Sequence, residues 1–260
     1  MPFMKASPTP GNYLTVLLLG VIIAGSSVTH AQDSLLLQNN ERRIGKISGV
    51  SGGNVQLQGP APGGAAGTIT STVPLAQVTA ATMTPPSEYN SALAAWQDGN
   101  AANFLTTAKP LVDKFRGLPT MWVERLTSLL PAAYLAQNNL PEAEKAVAEL
   151  ERAYPKQVTT ITISKARLAL AQKNPAETKS LLQPIAEEAA RTKLADSSQS
   201  AAFGQMYLLL GQAYEAEGNL SEALGSYLKT TTLFYEDKAA VAQAQQKADA
   251  LTKTQKVVVP

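Results

Sequence analysis

The chain has 260 residues, with 22 Lys and Arg, 20 Asp and Glu, one His and no Cys. That length can bury a real core, in one large domain or two small ones. A net charge of +2 gives no electrostatic reason to expect nucleic acid or an anionic membrane surface as partner, and without Cys there are no disulfides, thiolate nucleophiles or cysteine-ligated metals.

The first residues read as an export signal. Lys5 and the amino terminus form a positive start, and Tyr13 to Gly25 form a short apolar run. Thr29-His30-Ala31 then offers small residues at the two positions a signal peptidase reads. The run falls short of the roughly 20 residues of a membrane-spanning helix. We expect cleavage after Ala31 and a periplasmic or otherwise exported protein with no integral membrane span, the alternative being a retained anchor. Cleavage removes His30, the only histidine. The remaining chain then excludes Ser-His-Asp and Cys-His catalysis and every His- or Cys-ligated metal site. No cofactor and no metal are expected.

A β region of residues 32–83 follows. No charged residue occurs from Ile47 to Ser87, and no aromatic from Leu14 to Glu88. Gly, Val, Thr and Ser dominate, as strands and turns require. Strands are predicted at Ser34–Gln38, Arg43–Val50, Asn54–Gln58, Gly67–Val73 and Val78–Met83, with a tight turn at Ser51-Gly52-Gly53 and a short helical turn at Pro74–Gln77. Val55 and Leu57 alternate with polar neighbours, as do Ile69 and Val73, so each strand buries one face. Five short strands suggest a small bent barrel that packs on its neighbour, being too small to stand alone. The order L-x-x-N-x-x-R-x-G-x-I from Leu37 to Ile47, then Gly53-Asn54-Val55 and Thr68-Ile69-Thr70, resembles small Sm-like barrel modules. RNA binding is not expected, because Arg42, Arg43 and Lys46 are the only basic residues and no aromatic can stack a base.

Thr84-Pro85-Pro86-Ser87 forms a linker, with Ser87 placed to cap a helix. From Glu88 the composition turns to Ala, Leu, Glu, Lys and Gln, all strong helix formers. Amphipathic runs are broken at Gly99, Asn138, Lys173 and Gly218, spaced by 39, 35 and 45 residues. A helix-turn-helix recurring near that period marks a repeat array. In Gly204 to Asp237, the residues Tyr207, Leu210, Gly211, Tyr214, Gly218, Leu220, Ala223 and Tyr227 stand at the spacings of the tetratricopeptide repeat, which this region resembles. Glu124 to Gln157 matches through Leu130, Tyr134, Asn138, Leu140, Ala143, Val147 and Pro155. Two further units, near 85–118 and 159–192, keep the turn and second helix. Gly211 is expected to touch Ala223, and 193–203 to be a long connection. Pro110 and Pro184 each follow their turn by eleven residues, suggesting a shared bend. Residues 238–252 read as a capping helix, and 253–260 as a disordered tail.

Other residues are better read as structure than as chemistry. Glu142, Glu144, Glu149 and Glu151 lie among Lys145 and Arg152 and suit a solvated helix face. Trp96 and Trp122 suit core packing, and the glycine-rich runs lack the Lys of a phosphate cradle. The expected fold is therefore α+β by domain: a small five-stranded β-barrel, then an all-α tetratricopeptide-like solenoid over 88–237. In that repeat family the first helix of each pair lines a peptide-binding groove. Carried over by position, this groove would include Arg125, Leu129, Ala132, Gln205, Leu209 and Gln212, with Arg167 joining. The resemblance implies a non-enzymatic scaffold or adaptor for a protein or peptide in the cell envelope. The alternative is a structural subunit whose repeats mainly mediate oligomerisation.

Overall fold

The computed structural model describes residues 32–60, 67–192 and 195–254. The expected export signal and most of the tail lie outside them. Six strands come first: β1 (Ser34–Leu37), β2 (Arg42–Ile44), β3 (Lys46–Ser51), β4 (Asn54–Pro60), β5 (Thr68–Pro74) and β6 (Val78–Thr82). A 3-10 turn at Leu75–Gln77 separates the last two. The strands form two three-stranded antiparallel sheets, β2-β1-β6 and β3-β4-β5.

The five-stranded barrel expected from the sequence is corrected by this topology. The predicted second strand is broken at Gly45 into β2 and β3, and β5 does not pair with β6, so no barrel closes. The break lets one run of chain pass between sheets, pairing with β1 on one side and β4 on the other. A Cβ at Gly45 would lie 2.5 Å from the Gln58 carbonyl oxygen, so the crossing needs glycine. Val55, Leu57 and Val73 are buried as the alternation requires. Ile69 is not: it is 44% exposed, out beyond the covered end of its strand.

Nine helices follow among the described residues. They are α1 (Ser87–Gln97), α2 (Ala101–Lys114), α3 (Met121–Ala136), α4 (Leu140–Ala153), α5 (Val158–Ala171), α6 (Pro175–Arg191), α7 (Ser197–Ala216), α8 (Leu220–Thr232) and α9 (Lys238–Asp249). None is long and apolar enough to cross a membrane. The first eight form four hairpins, and each packs on the next. The helices run through Pro110, Pro131 and Pro184. Two local expectations are corrected. Pro86, not Ser87, precedes α1, and the Ser87 hydroxyl instead donates to Glu88. Helix α7 starts at Ser197, inside the segment read as a long connection, because Asp196 and Gln199 form a reciprocal capping box there.

Each hairpin turns by the same device. Gly99, Asn138, Lys173 and Gly218 all have a left-handed backbone, with φ of +71°, +56°, +60° and +80°. An Asn follows each one. The amides of Asn100, Asn139, Asn174 and Asn219 donate back to the carbonyls of Ala95, Tyr134, Ala169 and Tyr214 at 2.8–2.9 Å. This satisfies a carbonyl the ending helix leaves free. The side chains of Asn100, Asn139 and Asn174 then cap the next helix by accepting from the amides of Asn103, Glu142 and Glu177.

One apolar core joins the sheets to the first two hairpins. Leu35, Ile47, Val55, Val73 and Val78 share it with Phe104, Val112, Phe115, Leu118, Trp122 and Leu126. Phe115 and Trp122 meet edge to face at 5.3 Å, and Trp96 and Phe104 at 5.4 Å, so both tryptophans serve packing. A second core spans α5 to α7 and a third joins α7 and α8 to α9. Ala240, Ala244 and Ala248 bury the inner face of α9, and Leu251 is buried in the helical turn that follows it at Ala250–Thr254.

The glycines of α7 are tighter than the sequence suggests. A Cβ at Gly211 would lie 2.4 Å from the buried Tyr227 ring, so Tyr227 rather than Ala223 is the close neighbour. A Cβ at Gly204 would lie 2.5 Å from the Phe234 carbonyl oxygen. Gly225, inside α8, faces open space. Gly204→Ala and Gly211→Ala should therefore each cost about 1–3 kcal/mol by overpacking. Gly225→Ala should stabilise by about 0.5–1 kcal/mol through helix propensity. Urea unfolding of the three variants checks these opposite signs.

Candidate functional site

The first helices of successive hairpins, α3, α5 and α7, pack side by side, and α9 continues the row. All seven residues expected in a groove lie on these helices. Arg125 is exposed on α3, and Leu129 is half-buried against the first core. Ala132 is 8% exposed and Leu209 only 2%, so neither offers more than a floor. Leu209 belongs to the second core. Gln205 and Gln212 are half-buried on α7.

The structure brings Arg167, Gln205 and Asp237 together, from α5, α7 and the start of α9. Gln205 Nε2 donates to Asp237 Oδ2 at 2.6 Å. The other oxygen of Asp237 accepts from the amides of Ala239 and Ala240 and caps α9. Both carboxylate oxygens are therefore engaged. Arg167 is half-buried and makes no hydrogen bond or close ion pair with another described residue. Burial pushes its pKa below the ordinary arginine value, and the Asp237 charge partly opposes that shift. The result is a desolvated guanidinium, its donors unspent, on the face shared by the first helices.

Asp237 was not foreseeable as part of this group, yet a period was there to find. Gln157, just before α5, donates to Glu124 on α3, 33 residues away, as Gln205 and Asp237 are linked across 32. In both cases the residue preceding one first helix is tied to the previous first helix. Burial raises the pKa of Glu124 and the Gln157 bond lowers it, with burial the stronger.

A second concavity lies on another face. Tyr207, Leu210 and Tyr214 of α7 form its floor, between Lys179 and Gln183 of α6 and Lys229 of α8. It is shallow, and its cations are already occupied. Lys179 pairs with Glu217 at 2.5 Å and lies 5.4 Å from the Tyr214 ring centre, while Lys229 lies 4.9 Å from that of Tyr207. The glutamates of α4 likewise have partners. Glu142 pairs with Lys145, Glu149 with Arg116 and Glu151 with Lys165, at 2.6–2.7 Å, and Glu144 accepts from Gln172.

No protein family, curated protein or solved structure matches the chain.

Arg167→Met keeps the volume of the side chain and removes a desolvated charge, so it should raise the midpoint of thermal unfolding. Asp237→Ala should lower stability by about 0.5–2 kcal/mol through loss of the cap. Calorimetry of both variants checks the pair. A lower midpoint for Arg167→Met would mean that the guanidinium is satisfied by its surroundings.

Proposed function

We propose that the protein is an exported, non-enzymatic scaffold that binds a protein or peptide in the cell envelope along its first-helix face. The observation that carries this reading is Arg167, a half-buried cation on that face without a hydrogen-bond partner among the described residues. Holding such a charge away from water is costly unless an acceptor pairs with it. A bound segment with a carboxylate at that point supplies the acceptor, in a fork geometry that Arg suits better than Lys. Around it, Arg125, Gln205 and Gln212 offer polar side chains, and Leu129 offers partial apolar cover.

The tetratricopeptide resemblance supports the same reading. Four left-handed turns at the repeat positions, hairpins packed in order and a one-sided final helix suit a stacked helical-hairpin array of this kind. Export rests on the N-terminal pattern of Lys5, the apolar run and Thr29-His30-Ala31.

Selection of a random linear peptide library displayed on phage tests the reading. Peptides carrying Asp, Glu or a free C-terminus should be enriched, and Arg167→Met and Arg125→Glu should each weaken their binding. Lys229→Ala, on the other concavity, should leave it unchanged. No enrichment over an unrelated helical protein, or binding indifferent to Arg167, would contradict the proposal.

A further inference from the structure

We propose that β5 is a two-fold pairing edge, at which two copies of this chain join their sheets strand to strand. Because β5 and β6 do not pair, four strands are outermost, β2 and β6 in one sheet and β3 and β5 in the other. β2 carries Arg42 and Arg43 and β3 begins with Lys46, charges of the kind that protect an edge. The β6 edge is tied to the helices: the Ala81 amide donates to the Pro119 carbonyl at 2.9 Å, in the loop between α2 and α3. The β5 edge is open among the described residues. Its backbone pairs with β4 on one side, and no backbone hydrogen bond links Thr68–Val73 to any other described residue. Alternate amides and carbonyls there point away from β4, and an extended backbone is the group that matches them.

Edge strands are ordinarily protected by charge, proline or a bulge. Thr68–Val73 has none of these. No register shift interrupts its pairing with β4, and its one proline, Pro74, stands at its end. No charged residue lies anywhere from Ile47 to Ser87. Thr68, Ile69, Thr70 and Thr72 are exposed, and Ile69 leaves apolar surface uncovered.

The order of side chains identifies the occupant as the same strand from a second copy. Thr68-Ile69-Thr70-Ser71-Thr72 is nearly palindromic about Thr70. Antiparallel self-pairing centred there sets Thr70 against Thr70 and Thr68 against Thr72, pairs that suit facing strands. It sets Ile69 against Ser71 and opposes no like charges. The interface is isologous, so it closes at two copies and does not propagate. So short a strand buries too little area for a permanent dimer, and the association is reversible and concentration-dependent.

The chain has no cysteine, so a single introduced thiol reports the register directly. In the full chain under mild oxidation, Thr70→Cys should form a disulfide-linked dimer, because facing Cβ atoms in such a pair are about 5 Å apart. Thr72→Cys should remain monomeric, since its two copies would be about 13 Å apart along the strands. Thr70→Lys should shift sedimentation equilibrium of the unlinked chain from a monomer–dimer mixture to monomer, by setting two lysines face to face. Equal cross-linking of the two cysteine variants, or none by either, would overturn the proposal. So would cross-linking of Thr70→Cys to a different protein, which would make the edge a seat for a foreign strand.

Discussion

The carbonyls of Leu118 and Pro119 hold the sheets and the helices in one structure. Leu118 is fully buried, and its oxygen accepts from the Tyr154 hydroxyl at 3.2 Å and the Thr120 amide at 2.8 Å. The next carbonyl, of Pro119, takes the Ala81 amide of β6. One tight loop is thus tied to a strand on one side and to the end of the second hairpin on the other. Desolvation at this junction pushes the Tyr154 phenol well above the ordinary tyrosine pKa, so it stays a neutral donor. Gly117 makes the approach feasible. Its φ is +74°, and an added Cβ would sit 3.1 Å from Leu75.

This junction explains why so small a β region, without a charge or an aromatic over most of its length, is ordered. The strands lack the apolar volume for a core of their own. They borrow Phe104, Phe115, Leu118 and Trp122 from the helices. The same dependence frees the far edge: β6 is committed to the helices, and β5 is left at the rim. On the helical side, the first helices form a continuous row. Along that row, Arg167 is desolvated and has no hydrogen bond with another described residue. The proposed peptide site and the proposed self-pairing edge therefore lie on different elements and can act independently.

What the sequence reveals follows the range of the interactions concerned. The four hairpin turns were legible because their device is local. A residue in a left-handed backbone is followed by an Asn that caps the next helix, as in Gly99-Asn100 and Asn138-Asn139. Strand positions were legible from alternation at Val55 and Leu57. Sheet closure was not, since it depends on whether β5 reaches β6, a pairing with no local signature. The tight neighbours of Gly204 and Gly211, namely Phe234 and Tyr227, are likewise fixed by how α8 crosses α7. All seven residues expected in a groove lie on first helices, where helical spacing put them. That spacing could not show that Leu209 turns into the core, or that Asp237 joins Gln205 beside Arg167.

Native-state hydrogen exchange tests the shared core most directly. The amides of Val55 and Val73 in the sheets should exchange with the same opening free energy as those of Phe104 and Leu126 in the first two hairpins. Those of Met206 and Leu224, in the later cores, should follow a separate opening. Sheet amides that exchange well before Phe104 and Leu126 would show that the β region opens alone, and would contradict the account.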